Sequence, residues 1–285
     1  MFNNKLIAFI GPGVMAEAII AGLIRQKVTS ADQMIASGPR LERVEELHER
    51  YGIDFSIDNA SAAARADVVV LSIKPQRLDN VLAGMQSVLK SSAMVLSIVA
   101  GATIEKISLG LAHPDIVRSM PNTPAQIGEG ITVWTAAPGV SEEQRDIARQ
   151  ILAALGEEIF LEDEYYLDMA TALSGTGPAY VFLFMEAMVD AGVHLGFPRR
   201  VAEKLVAQTV RGSVDYYEKR DDPVHLARLR NQVTSPGGTS AAALYYLEKA
   251  GFRTAISRAI WAAYERSVEL GRGGKIHSPE RNSSG

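Results

Sequence analysis

The chain has 285 residues, 47% of them hydrophobic, and a formal net charge of −4 at pH 7. That length and apolar content suit one large domain or two medium ones, of which two are expected, and the weak negative charge offers no basic field to nucleic acid or an anionic membrane surface. There is no cysteine, which excludes disulfides, thiolate nucleophiles, Fe–S clusters and cysteine zinc sites.

The opening MFNNKLIAFIGPG enters a strand-like segment without the charged start and cleavage pattern of a secretory leader. No apolar run is read as approaching the ~20 residues that span a bilayer. The expectation is a cytoplasmic protein.

In chain order, short β-branched runs alternate with helical patterns, as in strand–helix–strand units around a parallel sheet. The strand candidates are Lys5–Ile10, Gln33–Ser37, Asp67–Ile73, Met94–Ala100, Ile116–Met120, Ile131–Thr135 and Glu158–Leu161. Several are apolar without alternation, so helices should cover both faces of the sheet. Helices are expected over Met15–Gln26 and Arg40–Tyr51. A further one should start at the capping box Ser141-Glu-Glu-Gln144 and run to Leu155, with Gly156 as its stop.

Gly11-Pro12-Gly13-Val14-Met15-Ala16 follows the strand LIAFI and precedes a helical pattern, the context in which GxGxxA binds a dinucleotide. Gly11 allows the tight turn, Gly13 lets a pyrophosphate approach the backbone, and Ala16 permits close helix packing. The second strand ends in Ser37-Gly38-Pro39-Arg40. An acid for a ribose 2′-hydroxyl is missing there and Arg40 is available for a 2′-phosphate, which favours NADPH, with NADH possible. Asn59, Ile73, Lys74, Pro75 and Ala100 fall at or just beyond strand ends, where open α/β sheets bind ligands.

From about Glu164 the texture changes to Ala/Leu/Met/Glu-rich stretches of helical period. Helices are read over Pro178–Leu195, Arg199–Lys219, Ser240–Ala250 and Arg253–Leu270, with Gly196, Gly251 and Gly271 at their ends. The expected organisation is α/β: an N-terminal Rossmann-type doubly wound sheet over 1–163, an all-helical substrate-binding and dimerisation domain over 164–272, and a flexible tail over 273–285.

Three segments gather hydroxyls and turn formers: RSMPNTP from Arg118, SGTGPAY from Ser174, and VTSPGGTS from Val233. The last precedes a helix and can offer backbone N–H groups and hydroxyls to a carboxylate. Taken alone it is equally a Pro-Gly turn with a serine N-cap.

With FIGPGVMAEAI, VVVLSIKPQ, LSIVAG, RSMPNTPA, LSGTGPAY and QVTSPGGTSAAALYYLE together, the sequence resembles the pyrroline-5-carboxylate reductases, which make proline from its cyclic imine. The resemblance covers all but the tail. It implies nucleotide contacts at Ile10, Gly11, Pro12, Gly13, Val14, Met15, Ser37, Pro39, Asn59, Ile73, Lys74 and Ala100. It also implies a site for substrate carboxylate and ring nitrogen at Ser235, Gly237, Gly238, Thr239 and Ser240, with Ser174 and Glu164 nearby, and a homodimer or higher homo-oligomer. Two residues depart from the family pattern: Ser240 stands where threonine is usual, and ASGPR replaces the commoner Asn-Arg pairing on the second strand.

In such a reaction the protein positions the imine and excludes water, and Ser240 is the candidate to orient the nitrogen or relay its proton. The five histidines are scattered and form no acid–base or metal constellation. A β-hydroxyacid dehydrogenase would carry Lys-x-x-Asn after the boundary. Here Lys204, Lys219, Lys249 and Lys275 are followed three residues on by Ala207, Asp222, Phe252 and Ser278. A non-catalytic NADP(H) sensor would be expected to have lost the SPGGTS hydroxyls. Apolar residues such as Phe182, Met185, Ile260 and Trp261 in short helices point to burial between subunits.

Overall fold

The computed structural model describes residues 5–220 and 223–271; the tail expected to be flexible lies outside them. One compact unit runs to Thr176 and takes back the chain from Ala262, and the other is Gly177–Trp261.

The first unit is built on an eight-stranded sheet: β1 Ile7–Ile10, β2 Met34–Ser37, β3 Asp54–Ser56, β4 Val68–Leu71, β5 Met94–Ser97, β6 Ile116–Met120, β7 Gly130–Ala136 and β8 Gly156–Phe160. The order is β3-β2-β1-β4-β5-β6-β7-β8. Strands β1 to β6 are parallel, so the chain reverses its winding direction between β1 and β4, the switch point where open sheets bind ligands. The continuous apolar runs follow from burial on both faces. Ile7, Phe9, Val68 and Val70 join one core layer, while Ala8, Ile10, Val69 and Leu71 join the other.

Two sequence expectations about the sheet are corrected. The sheet is not wholly parallel: β7 runs antiparallel to β6, because the link 121–129 holds only a short turn and cannot make a parallel crossover. Gly156 does not stop a helix; Ala154 caps it, and Gly156 opens β8 at φ +132, where a Cβ would lie 2.1 Å from the Gly130 carbonyl oxygen. The edge strand β3 and the helices Asn59–Arg65, Leu78–Met85 and Ile104–Leu111 went unread, since each is short and its apolar residues show no extended period.

Helices α1 Val14–Arg25, α2 Leu41–Tyr51, α3 Asn59–Arg65, α4 Leu78–Met85, α5 Ile104–Leu111 and α6 Glu142–Ala153 belong to this unit, and Ser141 with Gln144 makes the expected capping box. The short α7, Tyr166–Ala170, passes into a π-helical turn, Thr171–Gly175.

The second unit holds α8 Gly177–His194, α9 Arg199–Glu218, α10 Leu226–Gln232, α11 Thr239–Lys249 and the start of α12 Phe252–Gly271. Its buried core is small: Val189, Ala202 and Val206, with Met185 and Met188 against them. Helices α8 and α9 approach closely, since a Cβ on Gly192 would lie 3.1 Å from that of Ala202. Large apolar side chains remain outside, Phe182 at 62% and Leu183 at 67% exposure among them. The stretch Tyr166–His194 is long and apolar enough to cross a membrane by length and composition. That corrects the expectation that no run reaches such a length; the pattern appears only when α7, the π turn and α8 join as one helical stretch.

Candidate active site

The glycine-rich turn leaves β1 at the switch point and is fixed from three sides. Gly11 N–H donates to the Ser37 carbonyl at 2.9 Å, the Ser72 hydroxyl donates to the Gly11 carbonyl at 2.5 Å, and Arg43 Nε donates to the Pro12 carbonyl at 2.9 Å. Gly11 has φ +94, and a Cβ there would lie 2.5 Å from Ile73 Cγ2 and 2.8 Å from the Ser72 carbonyl oxygen. Only glycine fits. Gly13 is the N-cap of α1 and supplies no side-chain cap, so the first-turn amides of Val14, Met15 and Ala16 are left for an external anion. A Cβ on Gly38 would strike Pro12 Cδ at 2.5 Å, which keeps the second loop tight against the first. This cradle fits a dinucleotide pyrophosphate.

The other expected nucleotide residues cluster on the same sheet edge. Ile10 ends β1 and is buried; Val14 is exposed and Met15 half-buried. Ser37 is buried at the end of β2 and donates its hydroxyl to Asn59 Oδ1 at 2.8 Å. Pro39 and Arg40 are exposed at the start of α2. Ile73, Lys74 and Pro75 follow β4 into a 3-10 turn, with Lys74 exposed, and Ala100 follows β5.

Sequence reading did not single out Arg43, which lies in the first turn of α2. It holds Pro12 while pairing with Glu17 at 2.5 Å and Glu46 at 2.7 Å. Burial pushes the Glu17 carboxyl up, yet hydrogen bonds from Arg43, Tyr51 and Arg50 outweigh that and hold it below its ordinary range. Burial lowers the Arg43 guanidinium, and Glu17 and Glu46 more than restore it. Both shifts favour the ionised pair. No signal in one sequence links positions this far apart.

At the end of β6 the same unit presents the Ser174 segment. A Cβ on Gly175 would lie 2.7 Å from Met120 Cε, which seats the π turn over that strand end. The Ser174 hydroxyl donates to the Ala170 carbonyl at 3.0 Å, and the Thr176 hydroxyl donates to the Thr171 carbonyl at 2.8 Å. Glu164 Oε1 accepts from the Ile104 N–H at 2.8 Å and from Arg118 at 2.9 Å.

In the second unit, Ser235-Pro236-Gly237-Gly238 forms a turn closed by Gly238 N–H to the Ser235 carbonyl at 3.1 Å, with Gly237 at φ +70. Gly238, not a serine, is the N-cap of α11, and it brings no side-chain cap. Thr239 and Ser240 therefore occupy the first turn, with their amides and hydroxyls on an uncapped helix start. Thr234 donates its hydroxyl back to Arg230 at 2.7 Å. Among the described residues no His/Cys/Asp/Glu cluster suits a metal. His48, His113 and His225 are bonded to backbone groups.

A doubly wound sheet, a glycine cradle at its switch point and a helical unit with an apolar surface define a two-part, Rossmann-type dinucleotide-binding protein. Residues 6–101 match the family described as NADP oxidoreductase, coenzyme F420-dependent, and residues 164–270 match pyrroline-5-carboxylate reductase dimerisation. The chain is 42% identical to the pyrroline-5-carboxylate reductase of Synechocystis, over 93% of this chain and 98% of that one. It is also 42% identical to that of Pseudomonas aeruginosa, over 94% and 97%. The solved structure of Plasmodium falciparum pyrroline carboxylate reductase with NADP bound superposes with a TM-score of 0.86 at 32% identity, covering 94% of this chain and 98% of that one. The Coxiella burnetii enzyme gives 0.84 at 35%, covering 96% and 100%. The chain belongs to the pyrroline-5-carboxylate reductase family.

Proposed function

We propose that this protein reduces 1-pyrroline-5-carboxylate to L-proline, the last step of proline biosynthesis, as a homodimer or larger homo-oligomer. The observation that carries the reading is the 42% identity spanning 93% of the chain and nearly all of its relative. NADPH, held by the glycine cradle, supplies the hydride.

The chain's own residues do the placing. Gly11, Gly13 and the first amides of α1 would hold the pyrophosphate, with Ser37, Pro39 and Asn59 beside them as further nucleotide contacts. Arg40 would pair with a 2′-phosphate, which favours NADPH with NADH possible. Ile73, Lys74, Pro75 and Ala100, at the ends of the neighbouring strands, would hold the rest of the dinucleotide. The uncapped start of α11, with Gly237, Gly238, Thr239 and Ser235, binds the substrate carboxylate, since exposed amides and hydroxyls suit an anion. Ser240 orients the ring nitrogen and holds its proton. Fixing both ends of a small ring supplies the orientation on which the rate depends. The domain from 164 to 272 serves substrate binding and dimerisation. A small soluble substrate and cofactor suit a cytoplasmic enzyme.

The test is absorbance at 340 nm with pyrroline-5-carboxylate and either NADPH or NADH, on wild type and Ser240→Ala. Substrate-dependent oxidation, faster with NADPH and reduced in the variant, is expected. Folded protein that binds NADPH but oxidises it with no cyclic imine would overturn the reading.

A further inference from the structure

An ionic cluster built around a buried arginine lies in the first unit. Arg118, on β6, is only 3% exposed. Its guanidinium donates to Glu164 at 2.9 Å and to Asp168 on α7 at 3.1 Å. Glu164 Oε1 also accepts from the Ile104 N–H, and the buried Ser267 of α12 donates its hydroxyl to Asp168 Oδ1 at 2.7 Å. A buried arginine with no partner would be costly, so these segments hold together as one set.

Each segment adjoins a residue assigned to the proposed site. Ile104 starts α5 directly after the loop that follows β5, which carries Ala100. Gly101 in that loop has φ +72, and a Cβ there would lie 2.8 Å from the Gly271 amide nitrogen and 2.9 Å from the Ser267 carbonyl oxygen. The end of α12 is thus seated on the loop. Asp168 lies one turn before the π turn that bears Ser174, and Arg118 is two residues from Met120, on which that turn rests.

We infer that Arg118, Glu164, Asp168 and Ser267 form a positioning clamp that sets the Ala100 loop against the Ser174 turn. This rests on the proposed reductase reading. The clamp acts through other residues: it fixes the loop that carries Ala100, which would adjoin the bound dinucleotide, and Glu164 takes part through its bonds to Arg118 and the Ile104 N–H.

The experiment pairs hydrogen–deuterium exchange over residues 98–107 with steady-state kinetics for wild type, Ser267→Ala and Asp168→Asn. Ser267→Ala leaves every charge in place, so it reports even if Asp168→Asn fails to fold. Amide exchange over 98–107 should quicken about fivefold or more in the variants, whether or not the enzyme turns over. The kcat should fall about tenfold while KM for the imine shifts less than about threefold, because a misplaced loop costs orientation more than binding. Unchanged exchange over 98–107, or quickened exchange with wild-type kcat, would overturn the clamp. A wild type inactive on the imine would instead overturn the reductase reading, leaving the exchange result to judge the clamp.

Discussion

Glu17 and Arg43 meet at 2.5 Å between the first two helices, and the same guanidinium reaches on to the Pro12 carbonyl at 2.9 Å. The glycine cradle is therefore braced by an ion pair as well as by its own turn. Glu17→Gln should destabilise the protein by about 2 kcal/mol, the order expected when a charged hydrogen-bond partner is lost. It should also raise KM for NADPH. Because the folded carboxyl is held below its ordinary range, its stabilising effect is present in full above the unfolded value near pH ~4.3 and is lost as pH falls through the folded value. Thermal melts from pH 7 to 3 should show the gap between wild type and variant closing below that point. A gap of constant size down to pH 3 would contradict the assignment.

Gly11→Ala puts a methyl group at φ +94 within 2.8 Å of the Ser72 carbonyl oxygen. Strain and contact together should cost about 2–4 kcal/mol of stability. NADPH binding, followed by fluorescence titration, should weaken at least about tenfold, the equivalent of 1.4 kcal/mol. An alanine variant that melts and binds like wild type would mean the turn can be rebuilt.

Arg40 is exposed at the start of α2, whereas Arg43 is already committed to two carboxylates and a carbonyl. If Arg40 carries the 2′-phosphate, Arg40→Ala should raise KM for NADPH about tenfold, the worth of one charge-assisted hydrogen bond, and leave KM for NADH unchanged. Equal losses with both cofactors would move the phosphate contact elsewhere.

The α8 face carrying Phe182 and Leu183 is open in the single chain, and residues 164–270 match a dimerisation family. Phe182→Asp with Leu183→Asp should shift the sedimentation coefficient to that of a monomer at micromolar protein. Retention of the wild-type oligomer would place the interface on other helices.

The sequence by itself determined the alternation of strands and helices, the glycine turn and its place after β1, and the helical second half. These are local: buried strands must be apolar, a tight phosphate-binding turn must be glycine, and helix periodicity spans a few residues. Tertiary structure alone decided the reversal of β7, the strand role of Gly156, the edge strand β3 and the bracing of the cradle by Arg43. It also decided that Arg118, Glu164, Asp168 and Ser267 meet. Such features join positions up to 99 residues apart, as Asp168 and Ser267 are. No local pattern encodes them, because each side chain's role is set by what the folded chain brings against it.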